Sequence, residues 1–157
     1  MQGDPIPVWP AFRARLAPGL TIATYLPIAG EADPIAMHET AREVGCRLAL
    51  PHLTARTALM NFRLWTEPLQ QGPFGPQPPA DAPALAPDII LTPLVGFDRR
   101  GNRLGQGGGH YDRAFAQVPT AWRVGVAWSV QEVDALTPDP WDAPLHAIAT
   151  EKEWITP

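Results

Sequence analysis

The stretch from Gly96 to Arg113, GFDRRGNRLGQGGGHYDR, constrains this chain more than any other. It holds six of the thirteen glycines, and four of those (Gly105, Gly107, Gly108, Gly109) fall within five residues. Glycine loses more backbone freedom on folding than any other residue, so such density marks a backbone that must turn tightly or approach something closely. The apolar run from Ile89 to Val95 before it predicts a buried strand, and YDRAFAQ after it predicts a helix. Strand, glycine loop and helix start present backbone N–H groups to an anion. Arg99, Arg100, Arg103 and Arg113 add guanidinium groups, which suit phosphate oxygens. A ligand-free turn would need fewer glycines and fewer cations. A dinucleotide fingerprint would need a third glycine where His110 stands, a place near the start of the chain, and an acidic residue on the next strand. A Walker-type loop would need a lysine, and Lys152 is the only one. Phosphate, most simply that of a nucleotide, is the favoured reading.

The rest of the composition bounds the class. At 157 residues the chain fits one domain, 1–157, able to bury a core. A net charge of −4 without a basic run argues against a nucleic-acid partner. One cysteine, Cys46, rules out an internal disulfide and fits a reducing compartment. There is no signal-peptide core and no apolar run of membrane-spanning length, so the expectation is a cytoplasmic protein with no membrane partner. The only serine is Ser129, outside any G-x-S-x-G, which argues against a serine hydrolase.

Along the chain, residues 1–20 predict an irregular segment with at most one helical turn. Thr21 to Leu26 predicts a first strand. Asp33 and Pro34 predict N-cap and first helical residue, Met37, Ala41 and Val44 keep helical spacing, and Gly45 closes the helix. Arg47 to Leu50 then predicts a second strand, stopped by Pro51. Residues 21–51 thus form a βαβ unit, which favours a parallel sheet. Leu59 to Trp65 alternates as a half-buried strand does. Residues 67–87 carry seven prolines and two glycines and predict a long irregular loop. Trp122 to Trp128 predicts a central strand, Val130 to Leu136 a short helix, and Ala147 to Ile155 an extended end.

Several side chains are candidates for chemistry. Asp112, at the expected helix start, could hold a metal on bound phosphates or simply complement the helix dipole. Asp142, in PDPWDAPL, could be a second ligand or a turn former. Glu31 and Asp33 lie beyond the C-terminal end of the first strand, where parallel sheets bind ligands, and Asp33 also serves as N-cap. Phe62 and Trp65 are sheet core or the wall of an aromatic pocket. His38, His52, His110, His146 and Cys46 show no transition-metal spacing.

FDRRGNRLGQGGGHYDR closely resembles the signature of the 5-formyltetrahydrofolate cyclo-ligases, G-F-D-x-x-G-x-R-L-G-R-G-x-G-Y-Y-D. YLPIAGEADPI, MNFRLW with QQGPFGPQP, and PDPWDAPLHAIATE resemble further segments of that family, so the likeness spans about residues 21–155. It implies an α/β three-layer sandwich around a mainly parallel, Rossmann-like sheet, and an ATP- and Mg2+-dependent reaction on a reduced folate, in a monomer or homodimer. By position, Arg103, Leu104, Gly105, Gln106, Gly107, Gly108, Gly109, His110 and Tyr111 would hold ATP, with Arg103, Gln106, His110 and Tyr111 at the reacting groups. Ile28, Glu31, Asp33 and Trp65 would meet the folate together with Gln106 to His110, and Asp112 and Asp142 the metal. Three features depart from the pattern. The family's N-terminal helix with its K-x-x-x-R pair has no counterpart, Arg13 and Arg15 standing in another context. Gln106 replaces an arginine, and His110 and His146 replace a tyrosine and an aspartate. The alternative expectation is therefore a weak or inactive relative that binds folate or nucleotide.

Overall fold

The computed structural model describes residues 5–28, 30–104 and 109–157. The strands are β1 (Thr21–Ala23), β2 (Arg47–His52), β3 (Asn61–Leu64), β4 (Gln70–Gly72), β5 (Gly75–Gln77), β6 (Ile89–Pro93), β7 (Gly96–Phe97), β8 (Arg103–Leu104), β9 (Trp122–Val126), β10 (Ala147–Ala149) and β11 (Trp154–Ile155). The helices are α1 (Pro10–Arg13), α2 (Ile35–Val44) and α3 (His110–Gln117). Seven strands form one sheet in the order β11-β10-β9-β6-β1-β2-β3. Its five inner strands run parallel, and β3 and β11 close the edges antiparallel.

Alternation along the strands builds two cores. Ile89 and Leu91 of β6, with Ile22, Val124 and Val126, pack under Phe12 of α1 and Met37 of α2. Ile90 faces the other way, joining Phe97, Ile148 and Ala114 and Phe115 of α3. Helices on both faces make the three layers. Burying each such side chain stabilises by about 1.5–3 kcal/mol. The βαβ unit forms as expected, and Gly45 ends α2 at φ 107°, a conformation an L side chain resists. Ahead of it, a strap of chain crosses to the sheet's C-terminal side, where the Ile6 amide donates to the Asp33 carbonyl at 3.1 Å. The Trp9 indole donates to the Thr150 carbonyl at 2.9 Å.

The structure corrects four local expectations. Pro34, not Asp33, occupies the N-cap, and the Asp33 carboxylate instead accepts from the Ile35 amide at 3.0 Å. β2 runs through Pro51 to His52 because β1 stops pairing at Ala49, so the proline's missing donor faces no partner there. Within 67–87, β4 and β5 form a hairpin: a two-stranded ribbon has free edges that tolerate Pro76. Gln77 fastens that hairpin to the loop after β2, accepting from the Leu53 amide at 3.1 Å and donating to its carbonyl at 2.9 Å. The helix expected over Val130 to Leu136 is only a 3-10 turn at Ser129–Gln131. Beyond it the chain is drawn out along β7, the Val133 amide donating to the Phe97 carbonyl at 2.8 Å.

Candidate active site

From β1 the chain moves to β2 on one side, and from β6 to β9 on the other. The crevice beyond the C-terminal ends of β1 and β6 is therefore the switch point where open parallel sheets take ligands. Loops after β1, β2 and β6 rise there, with the β4–β5 hairpin and the start of α3.

The loop after β6 is braced by one carboxylate. Asp98, 1% exposed, accepts from the amides of Arg100 and Asn102 at 3.0 Å, the Asn102 side chain at 3.0 Å and the Leu136 amide at 2.9 Å. Burial pushes its pKa up, but these hydrogen bonds outweigh it and hold the group below the ordinary aspartate value. The β7–β8 hairpin is thereby fixed, and with it Arg103.

Arg103 and Asp112 face each other at 3.3 Å, with side chains only 8% and 18% exposed. Arg103 Nε and Asp112 Oδ1 are both buried without a hydrogen-bond partner. Unused donors and acceptors in a buried pair are costly, which marks a place prepared for another polar group. The Arg103 guanidinium also lies 5.8 Å from the Tyr111 ring and 5.5 Å from Phe115. Gly109 precedes α3 at φ 67°, ψ 16°, and a Cβ there would sit 3.2 Å from Arg113 Nη1, so the left-handed turn into the helix needs glycine.

Two tyrosines join the loops. Burial, then the charge of Glu31, pushes the Tyr111 pKa well up against the opposing pull of Arg103, so the phenol stays protonated. Tyr25 is raised by burial and by Glu31, Tyr111 and Asp33, and its hydroxyl donates to the Ala32 carbonyl at 2.6 Å. Trp128 pins the loop after β1 from the other side, its indole donating to the Gly30 carbonyl at 3.2 Å.

At the rim, His110 stacks edge-on against Phe74 of the β4–β5 turn, centroids 5.2 Å apart. Its Nδ1 lies 3.2 Å from Arg113 Nη2. Arginine only donates, so Nδ1 accepts and Nε2 carries the proton, which faces the Arg56 carbonyl. Burial and the Arg113 charge lower the His110 pKa, keeping the ring neutral at pH 7.

The family model described as the 5-formyltetrahydrofolate cyclo-ligase family matches residues 14–151. The chain belongs to this family. It is 34% identical over 145 residues to the 5-formyltetrahydrofolate cyclo-ligase of Escherichia coli K12, covering 85% of this chain and 80% of that one. With the Haemophilus influenzae cyclo-ligase it shares 35% over 137 residues, 81% of this chain and 73% of the other. Among solved structures, the Aquifex aeolicus 5,10-methenyltetrahydrofolate synthetase superposes with a TM-score of 0.73 at 32% identity, covering 94% of this chain and 74% of that one. The Mycoplasma pneumoniae 5,10-methenyltetrahydrofolate synthetase gives 0.64 at 29%, covering 83% and 73%.

Within the family frame, the expected residues divide. Glu31, Arg103, Tyr111 and Asp112 are linked through their contacts and charges, with His110 beside them on α3. Leu104 pairs with Gly96 in the β7–β8 hairpin. Gly105, Gln106, Gly107 and Gly108 lie outside the described residues. Ile28, 51% exposed, turns back on Glu31, its amide donating to Oε1 at 3.0 Å. Trp65, just after β3, donates to Glu67 Oε2 at 2.8 Å and stacks edge-on with His38 of α2 at 5.4 Å. Asp142 Oδ2 accepts from the Asp139 amide at 2.9 Å, the turn-forming role. Among the described residues no group of three or more His, Cys, Asp or Glu is gathered as for a metal ion.

The loop arginines also part company. Arg99 is spent on Glu132 at 2.9 Å and Glu153 at 2.6 Å, and Arg100 lies 3.7 Å from Asp98, so neither faces the crevice as a free cation. Sequence reasoning missed Tyr25, Arg56 and Phe74. Only Phe74 carried a signal, a bulky aromatic between Pro73 and Gly75 at a turn.

Proposed function

We propose that this chain converts 5-formyltetrahydrofolate to 5,10-methenyltetrahydrofolate with ATP as phosphoryl donor. The formyl oxygen attacks the γ-phosphorus and ADP leaves. N10 then attacks the activated formyl carbon and loses its proton, and inorganic phosphate departs with the former formyl oxygen. Such transfers need positioning and charge stabilisation more than covalent help from the protein. The observation that carries the reading is the Arg103–Asp112 pair, buried at the switch point with an unused donor and an unused acceptor. Arg103 Nε would donate to phosphate oxygen, and the neutral Tyr111 phenol would donate to the developing charge beside it. Glu31, Ile28 and Asp33 would line the folate side. Mg2+, when bound, would neutralise the phosphates. Asp112 would hold it through its carboxylate, whose Oδ1 meets Arg103 at 3.3 Å without a hydrogen bond, and Asp142, with Oδ2 already on Asp139, has its other oxygen to give. The test mixes the protein, MgATP and 5-formyltetrahydrofolate and follows the near-ultraviolet band of the methenyl product. No ATP-dependent product at high protein concentration would sink the proposal.

One observation favours a second reading, binding without turnover. Arg15 stacks 4.0 Å over Trp122, which begins β9, at the opposite end of the sheet from the crevice. It therefore supplies no charge to the phosphates. Calorimetry showing nucleotide or folate uptake without product would establish this reading, and wild-type turnover at an ordinary rate would remove it.

A further inference from the structure

Three segments far apart in sequence meet at His110: the loop after β2 through Arg56, the β4–β5 turn through Phe74, and the first turn of α3 through Arg113. The Arg56 guanidinium carbon lies 4.8 Å from the Phe74 centroid. A guanidinium held against a ring face keeps its N–H donors at the edge, available to an oxygen ligand. Neither Arg56 nor Arg113 belongs to an ion pair among the described residues, whereas Arg42, Arg99, Arg100 and Arg103 do. Phe74 thus carries the Arg56 guanidinium on its ring and the His110 imidazole at its edge, and that imidazole in turn meets Arg113. Two cations flanking one Phe74–His110 pair, neither matched by a carboxylate among the described residues, suit an anion. Arg113, in the first turn of α3, places that anion at the phosphate end of the site.

We propose that Arg56, backed by Phe74, binds the terminal phosphates of the nucleotide jointly with Arg113, the hairpin β4–β5 acting as the support that aims it. This rests on the ligase reading above and adds a nucleotide-gripping residue from an element outside the glycine motif. The chemistry recognised is a nucleoside triphosphate. The competing anion is the glutamate tail of the folate, whose carboxylates a guanidinium also suits.

The test measures binding of a non-hydrolysable ATP analogue, AMP, and 5-formyltetrahydrofolate with one or several glutamates, using the full chain. Arg56→Gln should weaken the triphosphate analogue about ten- to a hundredfold, the range of a charged hydrogen bond, and change AMP by less than about twofold. Both folates should bind as they do to the wild type, Arg56→Lys should recover part of the loss, and KM for ATP should rise in step. Arg56 is exposed, so the melting temperature should hold. Unchanged triphosphate affinity in Arg56→Gln, beside a wild type that binds it, overturns this proposal alone. A loss confined to the longer folate overturns it in favour of the tail. A wild type that binds no nucleotide removes the ligase reading and this proposal with it.

Discussion

The two halves of the Gly96 to Arg113 motif are built on opposite principles. In the first half, the Asp98 carboxylate is saturated by four donors, and Arg99 is matched by two carboxylates. In the second half, Arg103 and Asp112 are ion-paired yet keep a donor and an acceptor without hydrogen bonds, and among the described residues Arg113 meets an imidazole and no carboxylate. A satisfied half can hold position, and an unsatisfied half can take a ligand. Stability is concentrated where polar demands are met, and binding capacity where they are left open.

The comparison can be broken from the stable side first. Asp98→Ala should cost about 3–5 kcal/mol, since it strands three backbone amides, and a denaturant midpoint will show it. On the open side, Arg103→Gln should lower kcat roughly a hundredfold, about 3 kcal/mol of lost transition-state stabilisation, with a smaller effect on stability. Tyr111→Phe should cost about tenfold in kcat while the fold stays intact, read by steady-state kinetics. Acid sharpens the contrast. The Asp98 pKa is lowered in the folded chain, so its contribution is fully present above the unfolded aspartate value near ~3.9 and is lost as pH falls through the folded one. The stability gap between wild type and Asp98→Asn should therefore be constant near neutrality and shrink at pH values below about 4. Arg99→Ala should do least: its partners are solvated, and its melting temperature should match the wild type in moderate salt.

Much of this was legible in the chain. Apolar runs at 89–95 and 122–128 and the helix between 33 and 45 carry their periodicity locally, and the parallel sheet follows from it. What stayed hidden depends on distant partners. Arg99 and Arg56 look alike in sequence, and only the structure shows that Glu132 and Glu153 take up the first while the second lies on Phe74 with no ion pair among the described residues. The β4–β5 hairpin was masked by prolines that a free-edged ribbon accommodates. Trp65 reads from sequence more as core than as pocket wall, and only the structure shows that it stacks on His38 of α2 and donates to Glu67. Asp33 has the sequence position of an N-cap; Pro34 takes that place, and the carboxylate still reaches the Ile35 amide.

The strap before β1 has a consequence for how binding can be heard at a distance. Its Ile6 amide rests on the Asp33 carbonyl, which couples the strap at residue 6 to the proposed folate-side turn. A ligand that orders residue 33 should, by linkage, also favour the closed state at residue 6. Folate should then slow hydrogen exchange at the Ile6 amide and delay clipping of the leading residues. The beginning of the chain would serve as a gauge of whether the crevice is filled.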